Sequence, residues 1–164
     1  MPNGNLGGRS GADTYCANNK PANLPSDCGD IRAWMAMSTT DEVRDMPALY
    51  GYISNYPLYW WHSTDSILTL FANNWDDVFD NSILVSQADG TGIAENVMSG
   101  TWNDGSVYQF PNYCCNGFTN STTSDMFSRG SGGLLYSLFN IGSTYPTCNT
   151  SGYRIRCICG ITSQ

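Results

Sequence analysis

Basic residues are scarce in this chain. Its 164 residues hold seven Lys and Arg against fourteen Asp and Glu, a net charge of −7. The seven are scattered from Arg9 to Arg156 and form no cluster in the sequence. Nucleic acids and anionic membranes are held by clustered cations, so neither is an expected partner. Charge of either sign is low, 13% of residues against ~25% in ordinary domains. There is one histidine, His62, following Trp60 and Trp61, and two glutamates, Glu42 and Glu95. A Ser-His-Asp arrangement would rest on that histidine alone, which reads as structural or surface-lying. No CxxC pair occurs, so zinc-finger spacing is missing. No run approaches the ~18 apolar residues of a membrane-spanning helix. No glycine-rich phosphate loop follows a strand. Hydrophobic residues make up 41%, enough for one core and too many for a disordered chain.

Cysteine is abundant instead: seven, at positions 16, 28, 114, 115, 148, 157 and 159. Without metal-ligand spacing they point to disulfides and an oxidising compartment. The opening, MPNGNLGG, has neither the basic nor the apolar segment of a signal peptide. The chain therefore reads as part of a longer exported protein. Surface polarity comes from Asn, Ser, Thr, Gly and Tyr, which suits hydrogen bonding to neutral polar ligands.

Local pattern predicts a helix over about 10–19, stopped by Pro21, and a strand over 31–37. Thr39 with Glu42 three residues on reads as a capping box for a helix over about 40–46. Tyr56 to His62, Ile83 to Val85, Val107 to Phe110 and Tyr153 to Ile161 read as strands, and Asn74 to Phe79 as a helical turn. Asn112 to Tyr145 is rich in Gly, Ser, Thr and Asn and reads mostly as loop. Short strands, two or three short helices and long stapled loops make a single α+β domain over 1–164.

The run Gly7-Gly8-Arg9-Ser10-Gly11-Ala12-Asp13-Thr14-Tyr15-Cys16 resembles the first helix of endostatin and, more closely, of endostatin-like domains in bacterial surface proteins. Ile31 to Ser38, Trp75 to Phe79, Thr101-Trp102 with Ser106 to Tyr108, Tyr113 to Thr119, and Cys148 through Cys159 are similar in the same order. The resemblance implies a C-type-lectin-like fold, a twisted mixed sheet with two helices and long loops. It implies a Cys16–Cys157 bridge, and Cys148 bonded to Cys115 or Cys114, with Cys115 the better match. Cys28 then pairs with Cys159, leaving Cys114 over, or with Cys114. The zinc-binding N-terminal histidines and heparin-binding arginines of collagen-derived endostatins are missing, so neither activity is expected. Members of the family bind matrix, complement or glycans, and the fold alone does not choose.

Paired carboxylates for glycoside cleavage would have to come from Asp76, Asp77, Asp80, Asp89, Glu95 or Asp104, but most read as helix-surface or turn residues. No enzymatic activity is expected. Trp102-Asn103-Asp104 resembles the tripeptide of calcium-dependent C-type lectins, which makes Asn103 and Asp104 weak calcium candidates. The preceding tripeptide and closely following cysteine of those lectins are absent, so no cofactor is expected. The same register also explains Trp102 as a core or sheet-edge residue, and Asp104-Gly105 is equally a turn signal. Aromatics crowd at Tyr50, Tyr52, Tyr56, Tyr59, Trp60 and Trp61, read as core, and at Tyr108, Phe110, Tyr113 and Phe118, beside the long loop. A ligand site is expected there, with strand Val107–Phe110 as its base. Tyr108 and Tyr113 would stack on a sugar, Asn103, Asp104, Asn112 and Asn116 would hydrogen-bond it, and Trp102 is counted in the same ligand site. The expected function is an extracellular or surface-displayed lectin-like adhesin for a glycan or surface glycoconjugate. Alternatives are an adhesin for a host or matrix protein, and a structural tip or spacer on a surface fibre, with oligomer contacts made by aromatic residues or through an upstream segment. Asn120 and Asn149 are acceptor sequons, relevant only in a eukaryotic source.

Overall fold

The computed structural model describes residues 2–133, 138–139 and 145–161. In chain order the elements are α1 (Gly8–Asn18), β1 (Asp30–Ala33), a 3-10 turn at Val43–Asp45, α2 (Met46–Tyr50), β2 (Leu58–His62), β3 (Ile67–Ala72), a second 3-10 turn at Asp76–Val78, α3 (Gln87–Thr91), β4 (Asn96–Met98), α4 (Cys115–Phe118), β5 (Arg129–Ser131), β6 (Arg154–Ile155) and β7 (Cys157–Gly160). Helices and small sheets are interspersed, as expected of an α+β domain. The described strands form three separate small sheets rather than one mixed sheet. β1 pairs antiparallel with β7 and β2 with β3, while β4 lies between antiparallel β5 and parallel β6.

Ala12 and Cys16, one helical turn apart, carry the buried stripe of α1. Gly11 is required beside it, because a Cβ there would run into the Leu6 carbonyl. The helix ends where the Asn19 side chain donates to the Tyr15 carbonyl (2.8 Å). At the centre of the core Trp34, 2% exposed, meets Trp60, Phe71, Trp75 and Phe139 at ring separations of 4.9–6.2 Å. Such tilted and edge-on pairs are the favoured aromatic geometry.

Three disulfides, Cys16–Cys157, Cys28–Cys159 and Cys115–Cys148, staple the loops, and Cys114 is a buried free thiol. The first and third are the pairings that the endostatin resemblance implies, and Cys28 takes Cys159 rather than Cys114. Two bridges fasten α1 and its following loop to β7. The third ties α4 to the segment ahead of β6. Three such bridges fit an oxidising, extracellular compartment. Among the described residues no helix is long and apolar enough to cross a membrane.

Several local expectations are corrected. The strand expected over 31–37 stops at Ala33. Beyond it the backbone turns to other partners: Ala36 N–H donates to the Ser99 carbonyl and Thr101 Oγ1, and Met37 N–H to the Asp41 carbonyl. No capping box forms at Thr39–Glu42. The Glu42 side chain is drawn 65 residues away to the Val107 N–H (3.0 Å), and only a 3-10 turn and the short α2 follow. Ile83–Val85 is not a strand, since a single bond, Leu84 N–H to the Phe71 carbonyl, holds it to β3. Val107–Phe110 is not a strand either. Only one bridge, Thr101 with Val107, forms before Gln109 turns into the left-handed region at φ 41°. The last strand is split at the buried Arg156, β6 pairing with β4 and β7 with β1. The helix at the N-terminus, the strand ending at His62 and the turn after Asn74 lie where the pattern predicted. Part of the loop-rich stretch from Asn112 to Tyr145 lies outside the described residues.

Candidate functional site

The segment that follows β4 builds a tight turn. Trp102 N–H donates to the Ser106 carbonyl (2.7 Å), and Gly105 N–H donates to the Trp102 carbonyl (3.0 Å). Asp104 Oδ1 accepts the Ser106 N–H (3.0 Å) and its hydroxyl (2.6 Å). Partial burial pushes the Asp104 carboxyl up, but the Ser106 hydrogen bonds and the Arg44 charge outweigh it and hold the group below the usual carboxylate range. Gly105 sits at φ 81°, and a Cβ there would press on the Phe79 ring and the Arg44 stem. This turn therefore needs glycine for both conformation and space. Two bonds fix its exit: Val107 N–H to Glu42 Oε1 (3.0 Å) and Tyr108 N–H to the Gly100 carbonyl (2.8 Å).

The turn presents Trp102, 42% exposed, edge-on against Tyr108 with ring centres 4.5 Å apart. Behind it Tyr108 stacks on Tyr145 (5.1 Å), and Tyr113 stands edge-on to both (5.1 and 4.9 Å). The Tyr108 and Tyr145 hydroxyls are bonded at 2.7 Å. Burial and this bond push the Tyr108 phenol up to about 12. The four rings make a contiguous aromatic cluster whose exposed end is Trp102.

The structure thus brings together Trp102, Tyr108 and Tyr113, with Asn103 and Asp104 on the same turn. Their parts differ from those the sequence suggested. Trp102 is not a core residue but the exposed ring. Tyr108, 5% exposed, is enclosed by three other aromatics and backs the cluster rather than facing solvent. Asn112 is exposed just before Tyr113, its carbonyl accepting Met126 N–H. Asn116 is exposed in α4, where its amide donates to Thr119 Oγ1 (3.4 Å). Tyr145 was missed, lying well beyond Asn116, the last of the expected site residues. A Cys115–Cys148 bridge was the signal for it, since that bond draws the chain just before Cys148 toward Tyr113.

Calcium would need six to eight oxygens. Only Asp104 supplies a carboxylate on this turn, and its Oδ1 is already engaged. Among the described residues no three His, Cys, Asp or Glu side chains are grouped to hold an ion. Four more of the carboxylates weighed for hydrolysis have local partners: Asp77 accepts from Asn73 and Asn74, Asp89 from Ser86, Asp80 from Ser82 N–H, and Glu95 pairs with Arg154. Lone His62 pairs with Asp65 (2.8 Å) at the β2–β3 turn.

The first aromatic cluster is divided. Tyr52 and Trp60 are core, while Tyr56 (49%) and Tyr59 (45%) are exposed. A third feature had no sequence signal. Arg9 grips Asp41 with Nε and Nη2 (2.9 and 2.8 Å) and donates to the Ala33 and Met35 carbonyls (2.6 and 2.7 Å). Arg32 pairs with Asp13 and Asp30 and lies 4.1 Å over the Tyr50 ring. These cations line a shallow groove between α1 and β1, but each already has carboxylate partners. The chain matches no family model and no curated protein.

Proposed function

We propose that this chain is an extracellular, disulfide-stapled recognition domain of C-type-lectin-like, endostatin-like architecture that binds carbohydrate on another cell. The observation that carries the reading is Trp102, 42% exposed on a braced turn and backed by three tyrosines. A pyranose presents a flat C–H face to such a ring, while hydroxyl and amide groups fix its rim. Asp104, Ser106, Asn103 and Asn112 lie on the turn and the loop beside Tyr113 and supply that rim chemistry. Pre-ordered rings and turns spare the entropy cost that loose loops incur on binding. Binding is direct and needs no calcium, because Asp104 is the one carboxylate on the turn and its Oδ1 is already held by Ser106. The test is a glycan array with the purified domain, with and without EDTA, repeated with Trp102→Ala. The expected result is chelator-insensitive binding lost in the variant. Retention of all binding by Trp102→Ala overturns the site.

A second reading, adhesion to a host or matrix protein, is favoured by one observation. The register of β2 with β3 sets Tyr59, Trp61, Leu68 and Leu70 on one side of the hairpin. Tyr59 and Leu68 are 45% and 50% exposed. Surface display itself, at a fibre tip or elsewhere, belongs to the same proposal.

A further inference from the structure

We infer that the Trp102 site takes an uncharged glycan and rejects sulfated and carboxylated ones. The inference rests on the carbohydrate reading above and adds the ligand's charge. From Ser99 to Asn120 the chain contains one ionisable carboxylate, Asp104, and no Lys, Arg or His. The other hydrogen-bonding side chains of this stretch are hydroxyls and amides. Arg44 is the cation that acts on Asp104, and its guanidinium is already bonded to Glu42 Oε2 (2.6 Å).

A sulfate or a sugar carboxylate is recognised by arginine forks or clustered lysines. Here it would meet an ionised Asp104 on a chain of net charge −7. Like charges brought together at a binding surface are penalised directly, and this is how a site discriminates without adding contacts to the right ligand. A neutral pyranose has the opposite fit. Its hydroxyls donate to a carboxylate as charge-assisted bonds, and only Oδ1 of Asp104 is engaged within the turn. A sulfate has only acceptors to offer there. One group, Asp104, therefore both attracts the neutral sugar and repels the anionic one.

The experiment measures binding of the purified chain to matched panels of neutral, sulfated and sialylated glycans, across about 0.02–0.5 M NaCl. Neutral members are expected to bind, with affinity changing less than about twofold across the salt range. Matched anionic members are expected to bind about tenfold or more weakly. Asp104→Asn keeps an oxygen for Ser106 but removes the charge, and it should narrow the gap several-fold. Anionic glycans bound as tightly as neutral ones, or affinity falling steeply with salt, overturn this inference and leave the carbohydrate reading standing. Binding of neither class overturns both. The salt series on the unaltered chain decides the matter even if the variant fails to fold.

Discussion

Glu42 and Val107, 65 residues apart, are joined by a single hydrogen bond from the Val107 N–H to the buried Glu42 carboxylate (3.0 Å). That bond anchors the base of the aromatic cluster to the segment before α2. The other carboxylate oxygen faces Arg44 (2.6 Å), whose side chain is 48% exposed, so the ion pair itself adds little. Glu42→Ala leaves a buried amide without an acceptor and should cost about 1–3 kcal/mol in urea unfolding. Glu42→Gln keeps an acceptor and should cost less than half of that. Equal losses in the two variants would assign the effect to the charge instead.

Arg9 is the second long-range tie. Its guanidinium holds Asp41 through two nitrogens and reaches the Ala33 and Met35 carbonyls. Arg9→Ala strands these acceptors in a partly buried site and should destabilise by about 3 kcal/mol. Lysine restores the charge but not the planar fork, so Arg9→Lys should recover only part of the loss. Thermal and urea unfolding of both variants check the order.

The bridges to β7 are coupled. Cys16–Cys157 and Cys28–Cys159 have sequence separations of 141 and 131. Either one alone removes about 5 kcal/mol of chain entropy from the unfolded state. With one in place, the other closes a ring of only about fourteen residues, twelve from Cys16 to Cys28 and two from Cys157 to Cys159, worth about 3 kcal/mol. Removing either bridge by paired Cys→Ser changes should therefore cost less than removing Cys115–Cys148, which closes its own loop with a separation of 33 and is worth about 4 kcal/mol. Removing both should cost about 8 kcal/mol, more than twice a single loss of about 3. Burial pushes the Cys114 thiol up, so alkylation of native protein should leave it unmodified and unfolding should expose it.

Elements governed by short-range pattern were legible: the buried i, i+4 stripe of α1, the aromatic strand to His62, and the turn where Asn74 Oδ1 caps the N–H groups of Asp76 and Asp77. Elements decided by distant partners were not. Glu42 looked like a cap because Thr39 stands three residues away, but a buried amide at Val107 competes for the carboxylate and wins. Val107–Phe110 alternates like a strand, yet Val107 N–H goes to a side chain and Gln109 turns left-handed. In the candidate site the residue types were right and their exposure was reversed. Sequence placed Tyr108 and Trp102 together but could not show that Tyr113 and Tyr145 enclose the tyrosine and leave the tryptophan outside.

Alkaline pH should weaken the fold through its enclosed phenols. Burial, with hydrogen bonds to Asp41 and Tyr145, raises Tyr50 and Tyr108 to about 12, and burial raises Tyr52 further. The folded state thus keeps protons that the unfolded state sheds near 10. Unfolded molecules bind fewer protons in that window, so stability falls as pH rises from about 10 to about 12. Ultraviolet titration should show some of the ten tyrosines ionising late in native protein and all together in denaturant. A single native transition near 10 would contradict this.

Trp102 and Tyr108 should separate binding from stability. Trp102 is exposed and touches the cluster edge-on. Trp102→Ala should change stability by less than about 1 kcal/mol and lower glycan affinity tenfold or more, a loss of at least about 1.4 kcal/mol. Tyr108 is enclosed on three sides. Tyr108→Ala opens a cavity and should cost about 3–5 kcal/mol, so loss of binding in that variant says little about contact with a ligand. Tyr108→Phe is the informative change. It removes the hydroxyl bond to Tyr145 at about 1 kcal/mol and keeps the ring that braces Trp102. If Tyr108 only supports the platform, Tyr108→Phe should bind glycans as the unaltered chain does. If the phenol itself contacts sugar, affinity should fall with little change in melting temperature, and the ligand must then reach behind Trp102.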